Sequence, residues 1–145
     1  METKKELRKY YIERRSRLSG DEVREKSESL FAGICLLDRY RNANVVLAYM
    51  SFGNEVSTGP FICRCIRDGK TVALPKVEKE EGKGCRLAIY AIKDPVADVV
   101  PGFKGILEPD PSKARLLDPR EIDLAVVPGV AFDAAGNRIG YGAGC

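Results

Sequence analysis

Residues 123–145 read DLAVVPGVAFDAAGNRIGYGAGC, an apolar run that passes directly into a glycine-rich loop. Leu124, Ala125, Val126 and Val127 are closed by Pro128 and Gly129, the pattern of a short strand covered on both faces in a parallel sheet. Further on, Gly140, Gly142 and Gly144 alternate with Tyr141, Ala143 and Cys145. Glycines at that spacing let bare backbone N–H groups approach a ligand, so the loop can cradle phosphate. Spacing alone leaves a second reading open, a frayed tail.

Working outward, residues 45–50 (VVLAYM) form another continuous apolar run, ending in Ser51, Phe52, Gly53 and Asn54. They predict a buried strand whose C-terminal end opens into a loop carrying Glu55. Thr58 or Gly59 can cap a helix with Pro60 in its first turn, continuing through Ile62 and Ile66 to Asp68 and Gly69. Residues 71–74 return as a short strand before Pro75 and Lys76, so residues 45–74 have the make-up of a βαβ crossover. Residues 78–84 (EKEEGKG) predict a charged turn and residues 86–91 (RLAIYA) a strand. Residues 95–111 hold four prolines and two glycines, which predicts a loop. The expected fold class is α/β, a mainly parallel sheet flanked by helices on both faces, in one domain over residues 1–145. In such sheets ligands gather beyond the C-terminal strand ends. That rule selects residues 50–55, Pro75 with Lys76, and the loop from Gly136 onward.

At the N-terminus, Thr3 with Glu6 and Ser19 with Glu22 have capping-box spacing. A helix is predicted from Lys4 to about Arg17, with Lys4 and Arg8 one turn apart on one face. A second helix carries the stripe Val23, Ser27, Leu30, Ile34 and Leu37, with Phe31. Residues 1–17 hold seven basic residues against three acidic ones; taking these from the totals of 24 and 21 leaves 17 basic and 18 acidic elsewhere. A basic helix of this kind suits RNA, a membrane surface or a nucleotide's phosphates, or is a solvated face. Glu55 suits hydrogen bonding to a ligand or is a loop glutamate in water, and Lys76 reaches a phosphate or is a surface lysine. With no histidine in 145 residues, a zinc site and His-assisted nucleophilic catalysis are disfavoured. Five cysteines without a CxxC pair are expected as free thiols. A charged N-terminus with no hydrophobic segment behind it leads to a cytoplasmic expectation.

Pro128-Gly129-Val130-Ala131-Phe132-Asp133 followed by Gly136-Asn137-Arg138-Ile139-Gly140-Tyr141-Gly142 resembles the signature of the 5-formyltetrahydrofolate cyclo-ligase (5,10-methenyltetrahydrofolate synthetase) family. Lys4-Lys5-Glu6-Leu7-Arg8 is similar to that family's N-terminal Lys-x-x-Leu-Arg run. The resemblance implies a fold like that of NagB, RpiA and the CoA-transferases. It also implies ATP-dependent closure of 5-formyltetrahydrofolate to 5,10-methenyltetrahydrofolate, with ATP and Mg²⁺ as cofactors. By the same resemblance ATP is bound by Lys4, Lys5, Glu6, Leu7 and Arg8, and by Arg138, Ile139, Gly140, Tyr141, Gly142, Ala143, Gly144 and Cys145. Folate falls to Met50, Glu55, Tyr141, Gly142, Ala143 and Gly144, with Lys76 as a further phosphate contact. Cys145 stands where the family has the first of two tyrosines, and the aspartate that helps hold magnesium there has no counterpart in this sequence. The domain is therefore expected to be incomplete at its C-terminus, with little or no activity. The expected partner is the folate, polyglutamylated or not, bound by a monomer, with no nucleic acid and no membrane. Two alternatives stand beside this: an inactive fragment that only binds folate or nucleotide, and a basic-helix RNA-binding accessory protein.

Overall fold

The computed structural model describes residues 2–142. It begins with three helices, α1 (Lys4–Ser16), α2 (Gly20–Cys35) and α3 (Asp38–Asn42), followed by β1 (Val45–Leu47), α4 (Gly59–Arg67), β2 (Thr71–Glu80) and β3 (Gly84–Ile92). Short strands complete the described chain: β4 (Val99–Pro101), β5 (Leu107–Pro109), β6 (Arg115–Leu117), β7 (Leu124–Ala125), β8 (Ala131–Phe132) and β9 (Arg138–Ile139). Both capping boxes form. The Thr3 and Ser19 hydroxyls accept from the Glu6 and Glu22 amides, and those glutamates accept from the cap amides in return. Caps of this kind are worth about 1 kcal/mol each, and here they fix where α1 and α2 begin.

The central sheet has the order β6-β3-β2-β1-β7. β1 is parallel to both β2 and β7, in the register Val45↔Thr71 and Val46↔Leu124. The β1-α4-β2 unit is therefore the crossover expected from residues 45–74. β3 and β6 extend the other side of the sheet with antiparallel pairing. Val46, Ile62, Cys65, Val72 and Leu74 are buried where α4 covers β1 and β2, and the Phe31 ring stacks on Phe61 with centroids 4.4 Å apart. Each such side chain contributes about 1.5–3 kcal/mol by leaving water. The Asp123 carboxylate accepts from the amides of Asn44 and Val45, both at 2.9 Å, and ties the lead-in of β7 to the start of β1. Those two N–H groups, Val45's first, hold its carboxyl below the usual range.

Several expectations need correction. β1 is three residues long rather than six, although the Ala48 amide still reaches Ala73 O at 2.9 Å. β2 runs through Pro75 and Lys76 to Glu80, so neither residue ends a strand, and only residues 81–83 remain for the turn. Proline is tolerated there because β1 pairs no further than Ala73, leaving Pro75 on an open edge where no donor is required. Two residues on, the Val77 amide meets the Glu108 carboxylate at 2.8 Å instead of a neighbouring strand. Residues 95–111 are not a plain loop but contain the β4-β5 hairpin, with Glu108 buried beneath it. A Cβ at Gly102 would collide with the Glu108 carboxylate, which explains the glycine between those prolines. Among the described residues β7 pairs with β1 alone, Leu124 and Val126 turn inward, and Ala125 and Val127 are exposed rather than covered. The apolar stripe of α2 buries Phe31 and Ser27 but leaves Leu30 and Leu37 exposed. Cys35, Cys63 and Cys65 are free thiols as expected, whereas Cys85 is disulfide-bonded. Among the described residues no helix is long and apolar enough to cross a membrane.

Candidate functional site

The chain leaves the sheet after β1 and makes a loop, residues 51–58, that closes on itself. Ser51 and Thr58 exchange hydrogen bonds, each amide donating to the other's hydroxyl at 3.1 Å, and the Thr58 hydroxyl donates to Tyr49 O at 2.5 Å. Thr58 is thus buried at the base of the loop and holds it shut instead of capping α4 with its side chain. The loop also rests on α1: the Asn54 side-chain amide donates to the carbonyls of Arg15 and Leu18 at 3.1 and 3.0 Å, satisfying groups that the helix end leaves open.

Glu55 sits inside this loop and is only 4% exposed. One carboxylate oxygen accepts the Phe52 amide at 2.9 Å. The other accepts the Tyr141 hydroxyl at 3.0 Å, a contact across 86 residues of sequence. The same hydroxyl accepts from Arg15 Nη2 at 2.7 Å, and the Arg15 guanidinium lies 5.7 Å from the centroid of the Tyr141 ring. One helical turn pair earlier on α1, Arg8 Nε donates to Gly140 O at 2.7 Å. Gly142 has φ +88°, and a Cβ there would stand 3.1 Å from the Arg8 guanidinium carbon. The left-handed backbone calls for glycine at this position, and a Cβ would also push the guanidinium aside by a few tenths of an ångström. Arg8, Arg15, Glu55 and the glycine loop are therefore one assembly.

Beside it opens a cleft of about 370 Å³ that Arg15, Tyr49 and Glu55 line with polar groups and that Leu30, Ile34, Val126, Val127 and Phe132 make mostly apolar. Burial pushes the Tyr49 phenol up to about 12, and the nearby Glu55 charge adds to this. The Tyr141 phenol is also raised by burial, with the Arg15 hydrogen bond opposing and Glu55 reinforcing. Both hydroxyls are neutral donors near pH 7.

The remaining predicted residues are distributed as follows. Lys4, Lys5 and Glu6 are exposed on α1, Glu6 serving the cap, and Leu7 is half-buried. Met50 is half-buried and packs against the core. Arg138 donates to Pro128 O at 2.8 Å and braces the β8-β9 hairpin, in which Ile139 pairs with Ala131. Lys76 lies within β2 with its ammonium 3.4 Å from Glu108, away from any strand end. Ala143, Gly144 and Cys145, and the expectation of weak turnover that rests on that end, lie outside the described residues. Among the described residues no group of three or more acidic or sulfur ligands could hold a metal ion. Sequence reasoning missed Arg15, Tyr49 and the Ser51–Thr58 closure. Arg15 had a legible signal, since it lies seven residues, two helical turns, after Arg8.

Comparison with known proteins supplies the context. The family model for the 5-formyltetrahydrofolate cyclo-ligase family matches residues 1–145. The chain is 28% identical to the probable 5-formyltetrahydrofolate cyclo-ligase of Caenorhabditis elegans, over 99% of this chain and 70% of that one. It is 31% identical to the 5-formyltetrahydrofolate cyclo-ligase of Saccharomyces cerevisiae, over 99% of this chain and 74% of the relative. Among solved structures, the Aquifex aeolicus 5,10-methenyltetrahydrofolate synthetase superposes with a TM-score of 0.80 at 33% identity, over 97% of this chain and 68% of that one.

Proposed function

Since this chain belongs to the 5-formyltetrahydrofolate cyclo-ligase family, we propose that it closes 5-formyltetrahydrofolate to 5,10-methenyltetrahydrofolate at the expense of ATP. The observation that carries this reading is the buried Glu55 carboxylate in the lining of an apolar cleft, hydrogen-bonded to a tyrosine of the glycine loop. A reduced pterin presents a flat ring with N–H donors along one edge. The cleft offers apolar walls for the ring, and Glu55 keeps one lone pair on each oxygen for two further donors. Met50, three residues past the end of β1, packs against the core behind this loop and supports it from within. On the other side, Arg8 with Lys4 and Lys5 provides positive charge for the nucleotide's phosphates, and the backbone of residues 140–142 approaches closely enough to share them.

In the reaction the formyl oxygen attacks the γ-phosphorus and ADP leaves. N10 then attacks the activated formyl carbon, phosphate departs, and the N10 proton passes to solvent. Phosphoryl transfer of this kind depends on positioning and on neutralising charge over the transferring oxygens, which Arg8 and backbone amides can supply without histidine. Mg²⁺ enters this proposal as an ion carried by the nucleotide, to which it supplies charge neutralisation. Lys76, engaged with Glu108, has no part in it. The cytoplasm and a monomeric state complete the reading as expectations.

The test is to follow the methenyl product by absorbance with the protein, 5-formyltetrahydrofolate, ATP and Mg²⁺. ATP-dependent product supports the proposal. Binding of both ligands without product would replace it with a binding-only protein, and strongly salt-dependent RNA binding without ATP binding would replace it with an RNA partner.

A further inference from the structure

We propose that Arg15 is a positioning residue for Glu55, the carboxylate assigned to the pterin: by hydrogen-bonding Tyr141 it directs that phenol's single proton onto Glu55 and so fixes the oxygens that meet the ligand. The inference rests on the functional reading above. A carboxylate as buried as Glu55 is costly without partners, yet no lysine or arginine of the described residues reaches it directly. Its first oxygen is held by the Phe52 amide and its second by Tyr141. A phenol has one proton to give. With Arg15 Nη2 filling an acceptor position on the hydroxyl oxygen at 2.7 Å, that proton is left to point at Glu55. Positive charge thus reaches the buried carboxylate through one intervening hydroxyl. Arg15 is itself held in register, because its carbonyl is pinned by Asn54 of the same loop and its guanidinium sits at the hydroxyl edge of Tyr141, 5.7 Å from the ring centroid. Glu55 is then clamped on both oxygens, each with a second lone pair free for a ligand donor.

The experiment compares Arg15→Ala, Arg15→Lys, Tyr141→Phe and the Arg15→Ala/Tyr141→Phe double variant, measuring equilibrium binding of 5-formyltetrahydrofolate and of ATP and the hydrogen exchange of the Phe52 amide. Loss of one hydrogen bond to a charged group predicts folate binding weaker by on the order of tenfold in Arg15→Ala, with ATP binding changed by no more than about twofold. Tyr141→Phe keeps the ring but not the proton and is expected to match the folate loss of Arg15→Ala, the ATP comparison being read from Arg15→Ala alone. The double variant should be no worse than either single one, because both cut the same relay. Arg15→Lys, which keeps the charge and a donor, should recover part of the loss. Phe52 exchange should quicken in the Ala and Phe variants, since a carboxylate held at one oxygen turns more freely. Additive losses, equal weakening of both ligands, or an unchanged Phe52 amide would overturn the proposal. If the wild-type protein bound no folate, the functional reading would fall, and Phe52 exchange in Arg15→Ala alone would decide whether the relay exists.

Discussion

Glu55→Gln changes no volume and replaces one carboxylate oxygen with an NH₂ group, so its effect can be worked from the two hydrogen bonds the carboxylate makes. The amide oxygen is expected to keep the Phe52 N–H, now 2.9 Å from a carboxylate oxygen. The NH₂ group then faces the Tyr141 hydroxyl, which already accepts from Arg15 and now has no acceptor for its own proton. A buried donor left unsatisfied costs about 1–3 kcal/mol, and because Tyr141 is 38% exposed, water can take up that proton and the low end applies. Folding stability should therefore fall by only about 1 kcal/mol. Folate loses more, since a ligand N–H that met a charged oxygen now meets a donor; forfeiting one such bond, about 1.5–3 kcal/mol, weakens binding by roughly 10- to 150-fold. ATP, whose phosphates are assigned to Arg8 and the glycine loop, should bind almost as before. Calorimetric titration with each ligand, alongside thermal unfolding, reads all three quantities. Equal losses for folate and ATP would mean that the substitution disorders the loop, and unchanged folate affinity would refute the role given to Glu55.

Arg8→Ala should weaken ATP binding by about 1.5–3 kcal/mol, the value of a charge-assisted hydrogen bond, and unchanged ATP affinity by calorimetry would remove Arg8 from the phosphate site. Phe61→Ala, which unstacks the ring from Phe31 in the core under α4, should cost about 3–5 kcal/mol in urea unfolding, and a loss under about 1 kcal/mol would contradict that packing. Tyr49, raised by burial to about 12, should ionise above the exposed tyrosines in an alkaline absorbance titration. Because its folded value lies above its unfolded one near 10, its contribution is complete below about pH 10 and is lost as pH rises toward 12. Ionisation of Tyr49 together with the exposed tyrosines, judged against a Tyr49→Phe control, would contradict its burial.

What could be read from sequence was local and periodic. Thr3 with Glu6 and Ser19 with Glu22 announced both capping boxes because the motif is contained in four residues. The crossover from β1 through α4 to β2 followed from an apolar run, a proline in the first helical turn and a second apolar run. Glu55, Arg8 and Tyr141 were named by resemblance, and the structure brings these three together. What failed depended on partners distant in sequence. Pro75 appeared to end a strand because nothing local indicates that β1 stops at Ala73, leaving proline an edge position. Residues 95–111 appeared to be a loop because the stabilising group, buried Glu108, acts through Val77 and Lys76 some thirty residues away. Val127 reads as covered because an apolar run does not show which neighbours lie on its two faces, and among the described residues none covers it. Arg15 was passed over as one more charge on a basic helix, since its partner Tyr141 lies 126 residues on.

The most direct measurement of the central claim is the absorbance of the methenyl product in the presence of the protein, 5-formyltetrahydrofolate and Mg²⁺, with and without ATP, for the wild type and for Arg8→Ala and Glu55→Gln. If Arg8, Glu55 and the loop through Gly142 form one ATP-dependent cyclisation site, product accumulates only with ATP and slows by at least about tenfold in each variant at subsaturating ligand. Product formed at the wild-type rate by both variants, or no product although both ligands bind, would contradict it.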